Sequence, residues 1–240
     1  MPLLGDAFLC LWNDFDEARA EEYERWHSFE HVPERVAAPG FLSGRRYGAY
    51  DRRESRYMTL YDLDSLAALE TPQYAELQAE PTPWSARMRP GFRNFLRIPC
   101  RTLASEGTGC AGRAGVLALR LSDDTEASDA AILGLLRGAL SAQAISAFHL
   151  GRADHIPAYG VFRSPEASAE GRHYVVAILE ATTEAAAAAA LAGLRHRLDA
   201  LDPEIDVLRD ESTEFLLSVT RSEVVPRWER HHLRQEQPAS

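Results

Sequence analysis

The stretch Ser105-Glu-Gly-Thr-Gly-Cys-Ala-Gly-Arg-Ala-Gly115 holds four glycines in eleven residues and little that can pack, so it reads as a linker. It divides the chain of 240 residues nearly in half, and the two sides carry the same order of elements. Before it, Ala7 to Trp12 is a continuous apolar run of strand length, and a run without alternation implies burial on both faces. Asp16 to about His31 has helical spacing, with Asp14 or Asp16 placed to cap it. Pro39-Gly40 turns the chain into a strand from Phe41 to Tyr50; a polar turn over Asp51 to Ser55 leads to a second from Tyr57 to Tyr61. Ser65 to Leu77 is helical with a break near Pro72, and Phe92 to Thr102 is a strand. After the linker come a strand at Gly115 to Leu121, a helix at Glu126 to Leu140 and strands at Ala144 to Leu150 and His173 to Leu179. A helix at Thr183 to Leu198, rich in alanine, and a strand at Thr213 to Thr220 complete the order.

Each half is thus β-α-β-β-α-β, the split arrangement called ferredoxin-like. Four antiparallel strands then have both helices on one face, and their apolar second face also needs cover. Two such sheets facing one another supply it. The expected architecture is α+β: two tandem ferredoxin-like units closing into an intramolecular pseudo-dimeric α/β barrel with helices outside. The expected bounds are a first unit at 1–104, the linker at 105–115, a second unit at 116–222 and a tail at 223–240.

Composition removes several functions. Acidic residues outnumber basic ones 36 to 26, for a net charge of −10, which argues against a nucleic-acid partner. All the basic residues are arginine. Without lysine there is no lysine Schiff base, hence no pyridoxal phosphate held that way, and no Walker-type phosphate loop. Cys10, Cys100 and Cys110 are far apart and odd in number, which disfavours a disulfide framework or a cysteine-rich zinc site. Met1 to Asp6 lacks the charged start of a secretory signal, and the alanine tract Ala185 to Leu191 is far shorter than the roughly 20 residues of a membrane span. The expectation is a cytoplasmic protein without membrane contact, acting on a small molecule, with self-association through an exposed helix face left open.

The densest chemical signal is Tyr23-Glu-Arg-Trp-His-Ser-Phe-Glu-His-Val-Pro-Glu-Arg-Val-Ala-Ala-Pro-Gly-Phe41. On a continuous helix Tyr23, Trp26, His27, Glu30 and His31 form one stripe. Pro33 disfavours helical geometry at Val32, so the helix is expected to end or kink after His31. A ring at the negative end of a helix dipole, near Glu30 and Glu34, would have a raised pKa suited to general acid–base work. His31 is therefore the candidate catalyst and Glu30 its tuner or assistant. Tyr23, Trp26 and His27 form a pocket wall with Tyr61, while Arg46 and Trp84 are further candidates for holding substrate. Arg46 has a competing reading as an ion pair with the neighbouring helix, and core packing explains the aromatics equally well.

The run W-H-x-x-E-H-V-P-E-R from Trp26 to Arg35, followed by Pro39-Gly-Phe-Leu42 and Arg45-Arg-Tyr47, resembles the EthD-like branch of the dimeric α/β-barrel superfamily. The resemblance is specific over about Phe8 to Ile98. It implies pockets between sheet and helices and a role for the histidine of E-H-x-P, here His31. The superfamily's range includes cofactor-independent monooxygenases, isomerases, cyclases, dehydratases and some haem-handling members. The second unit departs from the pattern, since Ile132 to Leu140 is apolar and lacks histidine. One pocket is expected, in the first half, with the second half as scaffold.

The leading expectation is acid–base chemistry of isomerase, cyclase, dehydratase or lyase type on a small apolar or aromatic carbonyl compound, with no cofactor and no metal. A non-catalytic ligand-binding or stress-related barrel is the alternative. The third is a zinc hydrolase using His27-x-x-Glu30-His31, with Glu70 or Glu76 as possible further ligands.

Overall fold

A computed structural model describes residues 2–51, 56–121, 126–153, 159, 161–162, 173–201 and 205–228. The strands are β1 (Ala7–Phe15), β2 (Phe41–Gly48), β3 (Tyr57–Leu63), β4 (Phe92–Gly107), β5 (Arg113–Leu121), β6 (Ala147–Ala153), β7 (His173–Ala181) and β8 (Asp206–Thr220). The helices are α1 (Ala20–Trp26), α2 (Val32–Val36), α3 (Pro72–Ala79), α4 (Pro83–Met88), α5 (Glu126–Ser141) and α6 (Glu184–Leu201). The strands close into one barrel in the order β1-β3-β2-β8-β5-β7-β6-β4, antiparallel throughout. Each half contributes the ferredoxin-like order 4-1-3-2. The seams are β2 with β8 and β4 with β6, so each sheet's two edges are taken up by the other sheet. This is the tandem, pseudo-dimeric barrel expected from the duplicated element order.

The unbroken apolar runs follow from cover on both sides. In β1, Phe8, Cys10 and Trp12 fill the barrel interior, while Leu9 packs beneath α2 and α3 with Val32, Val36 and Leu77. In β7, Tyr174, Val176 and Ile178 point inward and Val175, Ala177 and Leu179 meet α5 and α6. The interior is packed with side chains rather than open. Gly151 shows how tightly: a Cβ there would lie 2.3 Å from the Phe8 ring and 2.8 Å from the Cys100 Cβ. We expect Gly151→Ala to destabilise the chain by about 1–3 kcal/mol through overpacking, read as a lower urea midpoint with unchanged slope.

A polar plug interrupts this interior where the two halves meet. Arg45 and Tyr47 on β2 face His149 on β6 and Glu180 on β7, all four nearly or wholly buried. Glu180 Oε1 accepts from Tyr47 Oη at 3.1 Å and Arg45 Nη1 at 3.4 Å, and Oε2 accepts from the Ala111 N–H at 2.9 Å. His149 Nδ1 lies 2.8 Å from Ser105 Oγ, which also accepts from the Leu3 N–H.

Two local expectations change. The supposed linker is largely strand: Arg101 to Gly107 pairs with β6, and β5 begins at Arg113, leaving only 108–112 as connection. Gly107 is there for fit rather than flexibility, with φ +103° and a backbone so close that a Cβ would lie 2.4 Å from Ser146 O. The chain also does not stop at Pro33. One wide π turn, His27–His31, joins α1 to α2, and the Val32 N–H reaches back to His27 O. Proline cannot supply its own helical hydrogen bond, and the wider turn beside it lets the helix carry on. In the tail, Trp228 packs against the α2–α3 side of the barrel as a strap. The sequence from Pro226 to Leu233 also suits a short helix, but His231 and His232 fall outside the described residues.

Candidate functional site

The π turn presents rings in a column. Phe15 stacks on Tyr23 at 4.6 Å, Tyr23 on His27 at 5.0 Å, and His27 on His31 at 5.0 Å, with Trp26 4.5 Å from His31. The Tyr23 hydroxyl and the Asn13 amide of β1 exchange hydrogen bonds, which fixes the base of the column. His27 is almost fully buried, and Nδ1 of both imidazoles is buried with no hydrogen-bond partner among the described residues. Unsatisfied buried polar atoms in a native site call for an explanation such as an incoming ligand.

Trp26, His27 and His31 open onto a hollow between sheet and helices. Its floor is Leu11, Asn13, Thr59 and Tyr61 from β1 and β3, and its sides include Arg35, Tyr74, Arg89, Phe92 and Phe95. Tyr159, Val161 and Phe162, from the connection between β6 and β7, complete it. The second half is therefore wall as well as scaffold, contrary to the expectation of a pocket made by the first half alone. The gap between these atoms is about 550 Å³ including its open mouth, but only about 30 Å³ admits the centre of a water molecule. That is room for a water or two. Along its side Phe95 stacks on Tyr159, and Phe162 lies tilted against Phe95.

The electrostatics reverse the expected direction. Both imidazoles are held well below the ordinary histidine value, first by burial and then by cations: Arg35, Arg89 and Arg46 act on His31, and Arg46 and Arg35 act on His27, where protonation of either ring also disfavours that of the other. The dipole argument fails because the helix continues to Val36, so His31 is not at its end. The rings are neutral at pH 7, free to accept a proton but weakened as bases by the burial and charges that disfavour their protonated form. An unfolded chain takes up protons on histidine near pH 6.5, so below that value the unfolded state binds more protons than the folded one. Stability is accordingly full above about pH 6.5 and declines as the pH falls below it, by about 1.4 kcal/mol per pH unit for each ring that stays neutral. Urea midpoints compared at neutral and mildly acidic pH check this, and His27→Gln combined with His31→Gln should flatten the dependence.

The other candidates separate into neighbours of the hollow and braces. Tyr61 lines it, and its hydroxyl has no partner among the described residues. Tyr23 supports His27 from behind. Glu30 does not line it: its Oε1 accepts from Thr82 Oγ1 at 2.6 Å, Ser85 Oγ at 3.0 Å and Trp26 Nε1 at 3.1 Å, tying the π turn to α4. Arg46 turns away to Glu24 at 2.9 Å and to Ser28, while its guanidinium lies over the Tyr23 ring. The ion pair with the neighbouring helix is what the structure contains. Trp84 donates to Glu22 at 3.1 Å and packs with Tyr23 and Trp26 outside the hollow. The zinc reading lacks its ligands, since among the described residues no group of three or more His, Cys, Asp or Glu is placed to hold a metal. Sequence reasoning overlooked Arg35, whose signal was available: it sits four residues after His31 on the same stripe once the helix is carried through Pro33.

The closed eight-stranded barrel and its external helices form a pseudo-dimeric α/β barrel with both units in one polypeptide. Among solved structures it is similar to an anthrone oxidase-like protein, at a TM-score of 0.54 and 11% identity over 95% of this chain and 98% of that one. It is also similar to a proposed monooxygenase from Lactobacillus acidophilus NCFM, at 0.50 and 9% over 90% and 96%. A heme-binding protein from Thermus thermophilus gives 0.50 and 10% over 90% and 93%. These likenesses concern the fold. No family model and no curated protein matches the sequence. No helix among the described residues is long and apolar enough to cross a membrane.

Proposed function

We propose that the chain is an enzyme that moves a proton on a small aromatic or apolar carbonyl compound without a cofactor, with His31 as the base. The observation that carries this is the neutral imidazole of His31, with an unpartnered ring nitrogen, facing a hollow lined by aromatic rings and cations. A base in a site that excludes bulk water needs no metal to draw a proton from carbon beside a carbonyl, provided the developing negative charge meets a cation. Glu30 is a positioning residue here, holding Trp26 and the π turn against α4. The Trp26 to Phe41 motif supports placing the chain beside the EthD-like branch. Isomerisation, cyclisation and elimination all begin with such a step, and this chemistry leaves the choice among them to the substrate.

The test is exchange of carbon-bound hydrogen for deuterium in 2-indanone and anthrone, in D₂O under nitrogen, followed by NMR. The native protein should accelerate exchange over buffer at equal pH, and His31→Ala should not. If both compounds shift the histidine signals yet exchange no faster than in buffer, the barrel is a binding module and the enzymatic reading falls. Admitting oxygen afterwards tests direct oxygen insertion, a second reading favoured by the names of two structural neighbours. In that case the carbanion formed by His31 would be consumed by oxygen rather than reprotonated.

A further inference from the structure

Two arginines line the hollow, and the nearby Glu34 acts on one of them, Arg89. The other is Arg35, while no aspartate or glutamate lines it among the described residues, in a chain whose net charge is −10. Arg89 is engaged, donating to Gln78 O at 2.8 Å and Leu77 O at 3.1 Å. Arg35 is not. It is 4% exposed, its Nη2 makes one long contact of 3.5 Å to Leu77 O, and its Nη1 is buried without a partner among the described residues. The Tyr61 hydroxyl, on a residue 3% exposed, is equally without a partner there, and Arg35 is close enough for its charge to act on that hydroxyl and on His31. A buried guanidinium with half its fork unsatisfied is a costly arrangement, and its planar pair of donors matches an oxyanion.

We propose that Arg35, with Tyr61 beside it, is the residue that binds an anionic oxygen of the substrate. The ligand is then a flat, ring-bearing compound with a carboxylate, phenolate or enolate oxygen. This rests on the hollow being the site and goes beyond it by fixing the charge of what enters. Arg46, the arginine that the sequence offered for such a role, is already paired with Glu24. The bound oxygen would lie one helical turn from His31, so one side chain of the stripe holds the charge while the other takes the proton.

Benzoate and its neutral isostere benzamide provide the test. Binding is followed through the ring-proton signals of His27 and His31 by NMR at neutral pH. Benzoate should bind roughly 10- to 100-fold more tightly than benzamide, the range a charge-assisted hydrogen bond supports. Arg35→Met should erase that preference while leaving benzamide binding in place, and Arg35→Lys should keep part of it. An arginine that only buttresses the helix would weaken both probes alike. Equal binding of the two probes to the native protein, or a preference that survives Arg35→Met, overturns the anion assignment and leaves the hollow as a site. Absence of any response at His27 and His31 to either probe removes the site and this assignment together.

Discussion

Glu180→Ala is expected to cost the fold about 3–5 kcal/mol, the range for breaking a buried ion pair by removing one partner. The carboxylate is wholly buried, and burial alone would lift its pKa. His149, the Ala111 N–H and Arg45 more than offset that and hold it below the ordinary glutamate value. Removing it leaves the Arg45 guanidinium, 2% exposed, without its anion, and strips the acceptor from Tyr47 and Ala111. Because Arg45 and Tyr47 come from the first half and Glu180 and His149 from the second, the damage falls where the two units close on each other. Replacing both charges with apolar residues, as in Arg45→Met with Glu180→Leu, should recover most of the loss, since an apolar pair of similar volume is often no worse than an ion pair taken out of water. Urea denaturation of the two single variants and the double variant decides it. A single Glu180→Ala that costs under about 1 kcal/mol would show that the plug contributes little.

That plug also marks the limit of what the chain disclosed in one dimension. The fold was readable because each half repeats its element order and because strands such as Ala7 to Trp12 have no polar face. His149 and Glu180 gave no warning, since their partners Arg45 and Tyr47 lie more than a hundred residues away and proximity arises only on barrel closure. The same cause lengthened β4: Ser105 to Gly107 reads as linker in isolation and becomes strand by pairing with β6. The histidine stripe was legible from helical spacing, and His27, His31, Trp26 and Tyr61 do share one hollow. The electrostatic sign was not, for two reasons. Pro33 implied a helix end that the π turn removes, and the cations that act on His31 include Arg89, from a distant segment that sequence spacing could not bring near. The aromatic wall of Tyr159 and Phe162 was equally out of reach, since nothing in the sequence places that connection over the first half.

His31→Ala is expected to lower the rate of carbon-bound hydrogen exchange by about 10²- to 10⁴-fold, the span general-base catalysis supplies. His27→Ala should cost less, because its ring is clamped between Tyr23 and His31. The pH profile separates a base from a mere wall. An imidazole must be neutral to accept a proton, and a pKa well below 6.5 keeps it so under mildly acidic conditions. Activity should therefore hold constant from neutral pH to below about 6.5, where an exposed histidine would already have lost half its base form, and decline only as the pH falls through the lowered value. Removing a cation should move that acid limb upward. In Arg35→Met the His31 ring loses the largest of the charges that disfavour its protonation, so activity should begin to fail at a higher pH than in the native protein. A wall residue would change the rate without moving the limb. If the limb stays fixed in Arg35→Met, or lies above pH 6.5 in the native protein, His31 is not the group whose protonation controls the reaction.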